Sequence, residues 1–311
     1  MSRSLKVLAL VSIMMAALLF AANRHGRSLR ARRSLEPFPN TARALLRIDM
    51  RALERTEAAR ILLKAFMPDD ALSEIETACG FDPLASLSDA TVWVRGPDEE
   101  PFQAIGLMLQ GSSADGEALA ACHRLLVERR GGSVLRLDSP AGPLISSRDG
   151  QSAIALLDER TIVTGSVRTV TEIMEVRRGT ASSLLERATI ARLWPRLSIG
   201  AAIAAIVEPP AHWKSALAGA ARFGSDASPL DDAQAIAFSV KSGSDDTLEL
   251  YIEVSGEVQA QKNAELIEAW IATPPDTFEP PWLALLQSAR VQRRAGTIMV
   301  KLDVTHLSSD R

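Results

Sequence analysis

Two stretches of this chain repeat one another. Leu87-Ser88-Asp89-Ala90 opens a series of strand, turn, strand, glycine and helix that Leu230-Asp231-Asp232-Ala233 opens again. In each copy a β-rich run (Thr91 to Arg95; Gln234 to Lys241) reaches a polar turn. A second strand follows, and Phe102 to Gly111 aligns without gaps on Thr247 to Gly256. Ile105, Leu107 and Leu109 then stand opposite Leu250, Ile252 and Val254. Apolar residues at every second position mark one buried strand face, and an amphipathic helix after each glycine suits an antiparallel sheet covered by helices. The alternation predicts that Ile105, Leu107 and Leu109 share a buried face. It also predicts that Leu250, Ile252 and Val254 point beneath a helix carrying Ile267 and Trp270. Glu249, Tyr251 and Glu253 would face the other way, where removing the Glu253 charge costs no more than about 0.5 kcal/mol.

Around these repeats the pattern places a short strand at Ala44 to Ile48, helices ending at Phe66 and at Cys79-Gly80, and a helix after Gly111 that stops at Arg129-Arg130-Gly131. Strands follow at Ser133 to Leu137, Ala153 to Leu157 and Thr161 to Thr164. Helices come next at Val167 to Arg178 and at Leu184 to Trp194, the latter stopped by Pro195. The second copy reads as a strand at Ile199 to Val207, a helix at Ala211 to Ala221, the repeated strand pair, a helix at Val258 to Ile271 and a closing hairpin of Val291 to Arg293 with Thr297 to Val304. The expected fold is therefore α+β: two pseudo-repeats of β-α-β-β-α-β-β, an antiparallel sheet with helices on one face, and one N-terminal transmembrane helix. The expected divisions are an anchor at 1–23, a basic linker at 24–40, a first repeat at 41–180 and a second at 181–311.

The anchor rests on Val7 to Ala22, sixteen residues interrupted only by Ser12, with Arg3 and Lys6 before it and Arg24, Arg27, Arg30, Arg32 and Arg33 after it. As a helix it is roughly 24 Å long, a little short of the hydrocarbon core, a gap that snorkelling Lys6 and Arg24 close. Leu19 and Phe20 occupy the positions where a cleavage site wants small residues, so the run reads as an uncleaved signal anchor. The expected location is the inner membrane, single-pass, with the body extracytoplasmic. The five arginines on the far side make a cytoplasmic body the alternative under the positive-inside rule.

None of the seven basic residues before Ser34 has an acidic partner among them, so the body is more acidic than the chain's net charge of −3. That argues against a nucleic-acid partner, which needs clustered positive charge. No glycine pattern suits a dinucleotide or a phosphate, and no serine sits in a nucleophile elbow. His25, His123, His212 and His306 are scattered, without the spacing of metal ligands. The acid pairs Asp69-Asp70, Asp231-Asp232 and Asp245-Asp246 fall at turns and helix starts, where aspartate is favoured anyway. Cys79 and Cys122 read as two buried small residues, or as a disulfide that would matter only in an oxidising compartment. No catalytic, cofactor-binding or metal-binding residue is assigned. The five tryptophans belong to the core.

The series of N-terminal anchor, arginine-rich linker, strand ending in Ile48-Asp49-Met50, helices ending in Cys79-Gly80-Phe81-Asp82-Pro83-Leu84, and strand Ala90 to Val94 resembles an uncharacterised family of membrane-anchored, duplicated α+β envelope proteins from GC-rich Gram-negative bacteria. The resemblance covers about residues 1–165. It implies a duplicated extracytoplasmic domain and carries over no site residue, since that family has no assigned activity. The expected function is a membrane-tethered, non-enzymatic binding or scaffold module of the cell envelope, attached through its N-terminal helix and meeting a protein partner there. Two alternatives remain. One is an enzyme whose site is assembled from separated residues near His212, for instance with acids from the Phe223 to Asp232 loop. The other is a carrier of an apolar ligand held between helices and sheet.

Overall fold

A single antiparallel sheet of twelve strands organises the chain. It is seen in a computed structural model that describes residues 29, 31–56, 77, 87–95, 104–111, 116–140, 142–210, 214, 228–241, 246–274 and 280–304. The strands are β1 (Ala42–Asp49), β2 (Leu87–Arg95), β3 (Ala104–Gly111), β4 (Val134–Ser139), β5 (Gly142–Ser147), β6 (Ala153–Asp158), β7 (Thr161–Gly165), β8 (Ala201–Val207), β9 (Ala233–Lys241), β10 (Thr247–Val254), β11 (Arg290–Arg294) and β12 (Thr297–Asp303). The described helices are α1 (Met50–Arg55), α2 (Gly116–Arg129), α3 (Val167–Arg177), α4 (Ala188–Ser198), α5 (Glu257–Ala272) and α6 (Pro280–Gln287), with a 3₁₀ turn at Leu184–Glu186.

The strand order, β11-β12-β10-β9-β8-β1-β2-β3-β7-β6-β5-β4, is symmetric about the seam between β1 and β8. Outward from that seam, β1, β2, β3, β7 and β6 on one side match β8, β9, β10, β12 and β11 on the other. β5 and β4 extend the first side alone. Across the seam Leu45 stands opposite Ile206 and Leu46 opposite Ala205. The echoed tetrapeptides land in matching register: Ala90 pairs with Leu109, and Ala233 pairs with Val254. A one-residue irregularity next to Val254 then shifts β9 relative to β10.

Each face of the sheet has its own cover. On the first face, Leu45, Trp93, Met108, Val163, Ile206, Ala235, Ala237 and Tyr251 pack with α3 (Val170, Ile173), with α4 (Ile190, Leu193, Trp194, Leu197) and with Leu35 and Phe38. On the second face, Ile48, Ile203 and Val240 pack with Met50 and Leu53 of α1. Farther along that face, Ile252, Val254, Ile298, Val300 and Leu302 pack with Ala260, Ala264 and Ile267 of α5 and Leu285 of α6. Leu35 and Phe38, which the sequence places in a linker, are thus fully interior at 0% and 3% exposure.

This architecture overturns the expected fold. The sheet is continuous through both halves rather than divided between two β-α-β-β-α-β-β units, and the described helices cover both of its faces instead of one. Strand β5 went unread because Gly142-Pro143 and Ser146-Ser147 break any apolar alternation; Ser146 is buried with its hydroxyl donating to the Ser147 carbonyl at 2.8 Å. Helix α4 runs through Pro195 to Ser198 because Ile190, Leu193, Trp194 and Leu197 keep helical spacing and are all buried, which offsets the hydrogen bond proline removes. Among the described residues no helix is long and apolar enough to cross a membrane. The run Val7 to Ala22, the helices expected before Gly80 and the helix expected from Ala211 lie outside the described residues or almost so.

Two burial expectations also change. Ile105 is 50% exposed and Leu107 and Leu109 are half-buried, while Gly106 and Met108 of the opposite face are interior. Glu253 does face away from Ile252, but into the layer under α4, where it is 6% exposed. There it is ion-paired with Arg192 and accepts from the Thr297 hydroxyl at 2.7 Å.

Candidate functional site

A cleft of about 670 Å³ opens on the first face, beside the seam. Its walls come from five separate parts of the chain: the segment Ala31 to Phe38, the C-terminal end of β1 (Arg47, Asp49), the facing ends of β2 (Asp89, Thr91) and β3 (Met108, Gln110), and the end of α4 (Trp194, Ser198, Ile199, Gly200). The antiparallel register brings the charged residues together. Asp49 stands opposite Asp89 and Arg47 opposite Thr91, so alternate side chains from both strands leave the same face.

Arg47 makes an ion pair with Asp89 and lies 3.7 Å from Asp49. Asp49 has a second task, since it caps α1 and its Oδ1 accepts from the Ala52 amide at 2.9 Å. Burial pushes the Asp89 carboxyl above the usual aspartate range, opposed by the Arg47 guanidinium. On the far wall the Trp194 indole donates to the Ser34 hydroxyl at 3.0 Å, and that hydroxyl donates to the Ala31 carbonyl at 2.6 Å. Ser198 donates to the Trp194 carbonyl at 2.9 Å. The hydroxyls of Ser34 and Ser198 are thus committed to indole and backbone, and the Arg47 guanidinium is held by carboxylates. Arginine stays protonated, so Arg47 cannot serve as a general base. The arrangement holds its shape and presents Phe38, Met108 and Ile199 as apolar lining.

A smaller cleft of about 470 Å³ lies at the corresponding end of β8, lined by Arg43, Glu208, Pro209, Pro210, Lys214, Asp232, Ala233 and Gln234. Glu208 is ion-paired with Arg187 and lies 3.9 Å from Arg43. Burial raises its pKa, with both arginines opposing. Lys214 donates to the Asp231 carbonyl at 2.9 Å.

The residues singled out from sequence fare unevenly. His212, His25 and His306 lie outside the described residues, as do Asp69, Asp70 and Asp245. Asp231 accepts from the Ser228 amide at 3.2 Å, a turn role. His123 is 9% exposed, with Nε2 hydrogen-bonded to the Ser152 hydroxyl at 2.8 Å, and burial lowers its pKa. Trp93 and Trp194 are core residues. Among the described residues no group of three metal-ligating side chains forms. Cys122 is disulfide-bonded, and Cys79 is the one other cysteine of the chain. Sequence reading missed the large cleft altogether: Ser34, Arg47, Asp89, Gln110 and Trp194 share no local pattern and meet only through the strand order.

No family model matches the chain, and no curated protein matches it. Among solved structures it is similar to three crystal forms of TP0453. Form I has a TM-score of 0.44 at 9% identity, covering 88% of this chain and 94% of that one. Form III has a TM-score of 0.40 at 11% identity, covering 88% and 96%. Form IV has a TM-score of 0.40 at 11% identity, covering 88% and 94%. At these values the likeness assigns neither family nor activity.

Proposed function

We propose that this protein is a non-enzymatic binding or scaffold module of the bacterial cell envelope, with its body on the oxidising, extracytoplasmic side. The observation that carries the reading is the bonded state of Cys122. A chain with two cysteines and no metal site among its described residues gains from joining them only where thiols are not kept reduced. The apolar run from Val7 to Ala22 and its basic flanks supply the sequence reason for membrane association. The large cleft supports binding over turnover, because Arg47 is paired with Asp89 and Asp49, and the Ser34 and Ser198 hydroxyls are bonded to indole and backbone. The Phe38, Met108, Trp194 and Ile199 lining favours a second reading, a carrier of an apolar ligand. Thiol trapping in intact cells tests the envelope reading. Cys122 should resist a membrane-permeant maleimide until a reductant is added, and protease added to spheroplasts should digest the body. Free thiols in unreduced cells, or a body protected until the membrane is opened, would overturn it.

A further inference from the structure

The two edges of the sheet differ in a way that points to a partner for one of them. Strand β11 ends the sheet with Arg290, Arg293 and Arg294 exposed, and α5 packs beside it. If it paired with a copy of itself about Gln292, Arg290 would face Arg294, so like charge guards this edge. Strand β4 ends the other side with the sequence Val134-Leu-Arg-Leu-Asp-Ser139, in which Leu135, Arg136, Leu137 and Asp138 are all exposed. Leu135 and Leu137 are 43% and 37% exposed, uncommon for an edge strand that natural sheets keep polar.

The backbone register shows which groups β4 offers. The Arg148 amide donates to the Ser133 carbonyl at 2.9 Å, and Leu135 and Leu137 stand opposite Ser146 and Leu144. Because hydrogen bonding alternates along an antiparallel pair, Ser133, Leu135 and Leu137 bond inward to β5, and Val134, Arg136 and Asp138 turn their amides and carbonyls outward. An antiparallel second copy of β4 centred on Leu137 then puts Arg136 opposite Asp138 in both directions, each as a hydrogen-bonded pair. Leu137 meets its own copy at the closer, non-hydrogen-bonded position. Shifting the centre to Arg136 or to Asp138 sets like charge against like. The strand is self-complementary in one register alone.

We propose that β4 is a homodimerisation edge, where a second copy of this chain adds antiparallel about a two-fold axis at Leu137 and continues the sheet. A six-residue edge falls short of the roughly 1,200 Å² typical of stable interfaces, so the dimer is reversible and concentration-dependent. Sedimentation of the full chain in mild detergent tests this. The wild-type chain should dimerise as concentration rises. Arg136→Asp and Asp138→Arg should each weaken association at least about tenfold by setting like charges opposite one another, and the double exchange should restore it. Both positions are exposed, so the variants keep the fold. Under mild oxidation Leu137→Cys should crosslink to its own copy, whereas Leu135→Cys, displaced along the strand from its counterpart, should not. A chain that stays monomeric, an association unmoved by either single exchange, no rescue by the double, or equal crosslinking at 135 and 137 would each overturn the proposal.

Discussion

Where the first half of the sheet sets Trp93 opposite Gly106, the second half sets Ala237 opposite Tyr251. Both pairs lie on the first face, between the second and third strands counted outward from the seam. The large and small partners have traded strands. Trp93 is fully buried, and a Cβ on Gly106 would come within 2.1 Å of its ring, so the glycine exists to admit the indole. Close packing asks for a filled volume at this place and leaves open which strand supplies it. The polar residues diverge further. Met108 on β3 is core, whereas on β10 the position facing the same layer holds Glu253, satisfied by Arg192 and Thr297. The halves share a frame and differ in what fills it.

The hardest test of that comparison is to copy one half into the other. Trp93→Ala alone should cost about 3–5 kcal/mol in chemical denaturation. Adding Gly106→Tyr, which reproduces the Ala237–Tyr251 arrangement, should recover at least about 1 kcal/mol through coupling of the two sites. A double variant no more stable than Trp93→Ala would break the equivalence.

A second contrast is covalent, since only the first half contains cysteine. Cys122→Ser should lower stability by about 2–4 kcal/mol, as expected for opening a long loop. Reducing the wild-type chain should give the same loss, and no loss on reduction would show that the bond constrains nothing. Smaller again is the buried charge peculiar to the second half. Glu253→Gln should cost about 1–3 kcal/mol, because the charge-assisted bonds from Arg192 and Thr297 weaken together. A change under about 0.5 kcal/mol would return Glu253 to the solvent-facing role its alternation suggested.

The smallest effect belongs to His123 in the first half. Burial lowers its folded pKa below the ordinary histidine value of 6.5, so the native state favours the neutral ring. Its contribution is complete above that value and is lost as pH falls through it toward the folded pKa. His123→Asn should flatten the decline of stability between neutral and mildly acidic pH. A variant whose pH profile overlays the wild-type one would remove His123 from the account.

Strands were the legible part of this fold. Period-two alternation placed β2, β3, β6, β7, β9, β10 and β12 close to where they lie, since each has one apolar face to bury. Alternation does not say which face a helix will cover. Ile105 and Ile252 have the same pattern, yet Ile252 lies beneath α5 at 2% exposure and Ile105 is open at 50%. Strand β5 and the proline-containing end of α4 stayed hidden because their residues look like turns. The candidate cleft was illegible for a different reason. Arg47 and Asp89 are 42 positions apart, and only the pairing of β1 with β2 makes them neighbours.

The burial of Leu35 and Phe38 has a consequence for the order in which the molecule can be made. Ser183 reaches the Leu35 carbonyl across 148 residues, Trp194 reaches Ser34 across 160, and β1 closes on β8 at a similar separation. A ribosome delivers the first member of each pair long before the second. The segment after the arginines must therefore wait, its apolar side chains unsheltered, until the middle of the chain has been synthesised. Contacts this distant close late, because the loop entropy is spent before they return anything. Folding of the seam is thus tied to completion of α4 and β8, and a nascent chain stalled before residue 180 presents Leu35, Phe38 and the bare edge of β1 to whatever chaperone or membrane surface is nearby.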